Sequence, residues 1–332
     1  MSNVQGKSVS QNLIFRLLKH IWTEYSIVVV CVLLFVIFGF IQPRFMTLGN
    51  MLLITRQSSI VGMIALGMTF VIITGGIDLS SGHVLTASGA VLIFLQGMET
   101  LPVEIAILVG ILACMATATS AGCLNGVIIT KFKLPAFIIT LAIGIISRSL
   151  TMYVLQGQTL RGRPVPQFRD IGLGTIVGII PNALIIWIVS TIILSCVLAY
   201  TKFGSYIYAV GGNENAARYS GINVNKIKIL AYTLAGFCVS IATVLDLSRM
   251  AAVSPGSSGD MYEFDAITAV VVGGTALSGG RGRILGTVVG VVMITAVSNI
   301  MVMMRISPYL SGAVKGVIIL TAVLLQRREK AQ

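Results

Sequence analysis

Stretches of about twenty mostly apolar residues recur along this chain, and they leave few folds open. A helical bilayer span needs about 20 such residues. Runs of that kind lie near residues 26–41, 51–74, 83–96, 104–129, 135–155, 181–200, 228–248, 263–278, 284–304 and 308–326, the first and third being short. Of the 332 residues 56% are hydrophobic and only 10% charged, with mean hydropathy +0.95. A soluble domain carries about 25% charge. The expected fold is therefore an all-α, polytopic integral membrane protein with about ten transmembrane helices. It comprises a tail at 1–25, a membrane domain at 26–326 and a short tail at 327–332. Basic residues precede the first run, as in a signal peptide, but no small-residue cleavage site follows Ile41, so that run is counted as a span.

The basic residues orient the chain. If the N-terminus is inside, Lys7, Arg16, Lys19, Lys131, Lys133, Lys202, Arg218, Lys226, Lys228, Arg281, Arg283, Arg327, Arg328 and Lys330 fall on the cytoplasmic side. Only Arg44, Arg161, Arg163, Arg169, Arg249 and Arg305 fall outside, while Arg56, Arg148 and Lys315 fall within spans. Cytoplasmic loops are enriched in Lys and Arg, so both termini are expected in the cytoplasm. The net charge of +12 then reflects orientation in a lipid bilayer, and nucleic acid is not an expected partner.

Between two of the spans sits a polar island, Ile207–Lys226, reading IYAVGGNENAARYSGINVNK. Gly211 and Gly212 break the incoming helix, and Asn213 is placed to cap a new one by accepting a backbone N–H. Glu214 and Arg218 stand four apart in the favourable order, and Gly221 sits where a left-handed capping glycine belongs. The reading is a two-turn helix with small Ala216 and Ala217 on its surface. Isolated helices shorter than about 12 residues are marginal in water, so a docking partner is implied.

GGNENAARYSGI, Gly211–Ile222, is similar to the cytoplasmic loop of permease subunits of ribose-type ABC sugar importers. VIITGGIDLSSG, Val71–Gly82, and EFDAITAVVVGGTALSGGRGRILGT, Glu263–Thr287, match the same family in the same order. The resemblance implies an ABC-importer permease fold in the bacterial cytoplasmic membrane, whose short coupling helix fits a cleft in a separate ATPase subunit. It further implies a sugar-loaded binding protein docking outside and a second permease, identical or paralogous. The coupling residues carried over are Gly211, Gly212, Asn213, Glu214, Ala216, Ala217, Arg218 and Gly221.

Candidates for the translocation pathway come from polar groups at membrane depth. Paired glycines at Gly75–Gly76 weaken the end of the second span, and irregular backbone there must be buried in protein or line a cavity. Thr74, Asp78 and Ser80 lie on this segment, and an acid so placed is functional by default. Asp78 equally suits a helix N-terminus, as does His83 an interface. Asn125 sits within Gly122-x-x-x-Gly126, a spacing repeated at Gly286/Gly290 and Gly312/Gly316 that lets helices pack closely. Asp265 is the second candidate acid of the pathway. Gly273-Gly274-x-x-Leu277-Ser278 echoes Gly75-Gly76-x-x-Leu79-Ser80, as internal repeats of transporters do. In the longest outer loop, Arg161, Arg163 and Arg169 are candidates for docking the binding protein, or are solvated charges balanced by Asp170.

No phosphate-cradling G-x-x-x-x-G-K-[ST] occurs, since Gly6-Lys7-Ser8 has Met1 where the first glycine belongs. ATP and Mg are accordingly expected on the partner ATPase, with no cofactor on this chain and no enzymatic role for it. Cys31, Cys114, Cys123, Cys196 and Cys238 all lie in apolar runs, and His20 and His83 are the only histidines, so no metal site is expected. The contending readings are an ABC permease for a monosaccharide or related polyol, a proton- or ion-coupled carrier using Asp78 and Asp265, and a membrane scaffold or channel subunit.

Overall fold

The computed structural model describes residues 27–321 except 177, 308, 309, 311 and 319. The expected tails and part of the span at 308–326 lie outside the described residues. The apolar runs fold into α1 (Ile27–Ile41), α2 (Leu48–Ile73), α3 (Ser81–Gln96), α4 (Val103–Phe132) and α5 (Ala136–Val154). After a connecting segment carrying β1 (Leu160–Arg161), α6 (Pro166–Leu173), β2 (Thr175–Ile176) and β3 (Ile180–Pro181) comes α7 (Asn182–Tyr200). Then follow α8 (Lys202–Gly212), α9 (Glu214–Tyr219), α10 (Val224–Met250), β4 (Ala252–Val253), α11 (Tyr262–Val272) and α12 (Ile284–Met303). Six of these helices, α2, α4, α5, α7, α10 and α12, are long and apolar enough to cross a membrane.

The central member is α2, 89% buried over its most apolar stretch, whereas α5 is only 17% buried. Because α2 is enclosed by protein rather than lipid, its polar side chains find partners on α12. Asn50 and Asn299 exchange amide hydrogen bonds at 3.0 and 2.9 Å, Ser58 meets Thr295 at 2.6 Å, and Thr69 meets Thr287 at 2.9 Å. The pairing order runs forward on α2 and backward on α12, so the two are antiparallel.

Glycine sets the closest helix approaches. A Cβ at Gly122 would overlap the Tyr232 carbonyl, and one at Gly126 would press on the Ile229 backbone, which brings α4 against α10. Gly286 and Gly290 likewise abut the carbonyls of Gly273 and Ala269 on α11. The third pair departs from expectation: Gly312 and Gly316 meet nothing within 4 Å among the described residues.

Two crossings are not simple spans. The Thr74–Ser80 connector is irregular, so α3 begins part-way through the bundle and runs to the end away from α9, where Gln96 Nε2 donates to the Arg163 carbonyl at 3.0 Å. The span expected at 263–278 is a helix of only 11 residues, roughly 16 Å long. The rest of that crossing is an irregular segment. It leaves β4, which pairs with β1, and descends along α3 until the Ser258 carbonyl accepts from Thr86 Oγ1 at 2.5 Å. Glycines and serines at 254–259 cannot sustain a helix as an apolar run would, so the apolar pattern that begins at Phe264 marks only the lower half of the crossing.

Candidate functional site

The polar island folds as a helical corner. Asn213 ends α8 and starts α9, its Oδ1 accepting from Ala216 N at 3.0 Å. At the other end Gly221 takes φ +81, and the bonds Ile222 N to Ala217 O (3.0 Å) and Gly221 N to Arg218 O (3.1 Å) close the helix. Glu214 holds Arg218 at 3.2 Å, as its spacing predicts, and also Lys228 of α10 at 2.6 Å. The hydrogen bond from Lys228, with Arg218 adding to it, draws the Glu214 carboxyl below its ordinary range. These bonds fix the corner to α10. A cavity of about 210 Å³ lies alongside, lined by Lys133, Glu214, Arg218 and Lys228 among others.

Of the alanines expected on the surface, Ala216 is exposed, whereas Ala217 is 4% exposed and belongs to the main apolar core. A six-residue helix buries whichever face its neighbours cover, and here that face carries Ala217. Tyr219, which the sequence reading passed over, stands 92% exposed at the end of α9. An aromatic ring on a short polar helix was its only signal.

The two glycine-rich segments meet beneath this corner. Gly280 N donates to Ile73 O at 2.9 Å, joining the loop after α11 to the last turn of α2. Gly211 packs onto the same place, for a Cβ there would overlap the Ile73 carbonyl and crowd Gly280 N. Tyr208 of α8 donates to Gly282 O at 2.8 Å. The echo between the segments has a structural counterpart shifted by one residue: each helix ends two residues before its left-handed glycine, Gly75 (φ +80) and Gly274 (φ +87). Backbone thus meets backbone where α8 abuts the buried helix α2.

The expected pathway residues are brought together in part, and all are buried. Thr74 Oγ1 turns back to Val71 O at 2.7 Å. Asp78 accepts from Ser80 N (2.8 Å), Ser80 Oγ (2.6 Å) and Ser81 Oγ (3.0 Å), closing the turn that leads into α3. Asn125 Nδ2 donates to Ser80 Oγ at 2.9 Å. Asp265 stands apart from this group and pairs with Lys315 at 2.8 Å. A different cluster remains partly open: Arg148 of α5 reaches His83 Nε2 at 3.1 Å, Asp260 Oδ1 at 3.4 Å and the Gly256 carbonyl at 2.9 Å. Arg148 and His83 had been noticed singly, and no local spacing joins them to Asp260.

At the end of the bundle away from α9, Arg161 lies on β1 and is exposed, Arg163 is half-buried, and Arg169 projects from α6. The Leu173 carbonyl at the end of α6 accepts from Arg56 of α2 at 2.9 Å, so α6 is anchored to the same buried rod.

A bundle with six helices long and apolar enough to cross a membrane, interrupted by buried irregular segments, is that of a multi-pass membrane protein. Residues 50–323 match the family described as branched-chain amino acid transport system / permease component. The chain is 38% identical to ribose import permease protein RbsC of Escherichia coli (strain K12), over 92% of this chain and 94% of that one. It is 42% identical to ribose import permease protein RbsC of Bacillus subtilis (strain 168), over 90% and 91%. The D-allose transport system permease protein AlsC of Escherichia coli (strain K12) is 32% identical, over 92% of each chain. No solved structure matches. The chain belongs to this permease family and is a ribose-type ABC importer permease, a multi-pass component of the inner membrane.

Proposed function

We propose that this chain is the membrane subunit of an ATP-driven, binding-protein-dependent importer for a ribose-like monosaccharide or related polyol. The observation that carries the proposal is the α8–α9 corner seated on Ile73 and Gly280. An ATPase pair closing in the cytoplasm would push on Asn213, Glu214, Ala216 and Arg218, with Gly211, Gly212, Ala217 and Gly221 shaping and seating the corner. The push would pass through Gly211 to α2, and through α2 to the outer helix held by Arg56. Permeases named for ribose, D-allose and L-arabinose among the relatives support a pentose- or hexose-sized cargo. In this reading the chain crosses the bilayer ten times with both termini inside. It pairs with a second permease and receives sugar from a binding protein seated on Arg161, Arg163 and Arg169, while ATP and Mg stay on the ATPase. The commitment of Asp78 to Ser80 and Ser81 and of Asp265 to Lys315 favours this reading over a proton-coupled carrier.

The test is uptake in proteoliposomes containing the permease, its ATPase and its binding protein. Labelled D-ribose, D-allose and L-arabinose serve as probes. Uptake is expected to require ATP and to persist when an ionophore collapses the proton gradient. Uptake that follows the gradient and is lost with Asp78→Asn would reject the proposal.

A further inference from the structure

The cluster of Arg148, His83 and Asp260 lies well inside the bundle. Arg148 stands six residues from Val154, and Gly144, one turn further along α5 and packed against His83 Nδ1, stands ten, so they lie roughly 9 and 15 Å from that end of the helix. That is about a third to a half of a hydrocarbon layer near 30 Å thick. At this depth a charged side chain facing lipid is very costly, and irregular backbone is tolerated only against protein or a water-filled cavity. Yet the Arg148 and Asp260 side chains are 32% and 55% exposed, and the irregular segment beside them leaves Gly256 with nothing within 4 Å of where its Cβ would be. Their exposed surface therefore faces water or a second protein.

We infer that Arg148, His83 and Asp260 form a polar wall of the translocation path and hydrogen-bond the hydroxyl groups of the passing sugar. The inference rests on the import function proposed above. A guanidinium fork supplies donors, a carboxylate and the Gly256 carbonyl supply acceptors, and sugar hydroxyls need both. The Arg148–Asp260 contact is long at 3.4 Å, so a hydroxyl can compete for either partner. Immediately behind lies Glu263, 4% exposed, whose Oε2 abuts Gly82 and has no hydrogen-bond partner among the described residues. His83 Nδ1 is likewise buried without one. Polar capacity left unused in a buried place is expected beside a ligand path and is costly elsewhere. On the Thr74–Ser80 connector, by contrast, Thr74 Oγ1 is bonded to Val71 O and Asp78 to Ser80 and Ser81.

Sugar taken up per ATP hydrolysed, measured in the same proteoliposomes with whichever of the three sugars the parental system imports, tests the inference. Arg148→Gln and Asp260→Asn should each lower that ratio roughly tenfold or more, the loss expected for a charged hydrogen bond. Both variants should still co-purify with the ATPase. A parental ratio in both variants overturns the inference. Ser257→Cys, which removes none of the cluster, provides an independent arm against the parental chain as control. A membrane-impermeant thiol reagent should label it, and absence of labelling in every nucleotide state overturns the inference. Parental uptake that does not need ATP would instead reject the import function itself, so the two failures are distinguishable.

Discussion

Gly211 and Gly212 are neighbours at the end of α8, yet a methyl group added to each meets opposite surroundings. Helix propensity alone predicts that Gly→Ala at either position stabilises, by up to about 1 kcal/mol. At Gly212 nothing lies within 4 Å of the new Cβ, so Gly212→Ala should be neutral or stabilising by that amount. At Gly211 the Cβ would overlap the Ile73 carbonyl and crowd Gly280 N. Forcing an extra carbon into packed structure costs about 1–3 kcal/mol. Separating Gly280 N from Ile73 O removes a bond worth about 0.5–1.5 kcal/mol more. After the propensity gain, Gly211→Ala should destabilise the purified permease by about 1–3 kcal/mol. The assay is thermal unfolding in detergent, read by a thiol-reactive dye that reports exposure of buried Cys114 and Cys238. Equal stability of the two variants, or a Gly211→Ala protein more stable than the parent, would refute the close approach of α8 to α2.

The remaining predictions concern other contacts. Ala217→Trp should overpack the core by about 1–3 kcal/mol or more and lower the unfolding temperature, because Ala217 is buried. Lys315→Met leaves the buried Asp265 carboxylate without its partner and should cost about 3–5 kcal/mol, while adding Asp265→Leu should restore most of the loss. The Glu214 carboxyl is drawn down by Lys228 and Arg218, so its contribution is complete above the unfolded value of about 4.3 and is lost as pH falls through the lower folded value. With Glu214 at 44% exposure, a Glu214→Gln/Lys228→Met double-mutant cycle should give less than about 1 kcal/mol at pH 7, and less still in acid.

What was legible in the sequence is what depends on neighbours along the chain. Asn213 as a cap, the Glu214–Arg218 pair and the left-handed Gly221 were all readable, because each is set by residues within one turn. The long spans were readable from apolar length, and the Gly122 and Gly286 packing from spacing. The full course of the crossing expected at 263–278 was not, since the glycines and serines at 254–259 carry no apolar signal for a segment buried in protein. Ala217 was placed on the wrong face because a helix of two turns has no periodicity long enough to reveal its buried side. The Arg148–His83–Asp260 cluster joins three segments far apart in sequence, and only the meeting of α3, α5 and the descending 254–261 segment brings them into contact.

The central claim is that force from a cytoplasmic ATPase enters through the exposed face of α9. Ala216 lies on that face, and its side chain is not part of the permease core, so Ala216→Trp changes the docking surface without disturbing the bundle. ATP-driven uptake by this variant, in proteoliposomes with the ATPase and sugar-loaded binding protein, is the most direct measurement. The account predicts normal membrane insertion and thermal stability, weakened co-purification with the ATPase, and loss of uptake. A variant that kept its ATPase and imported sugar at the parental rate would contradict it.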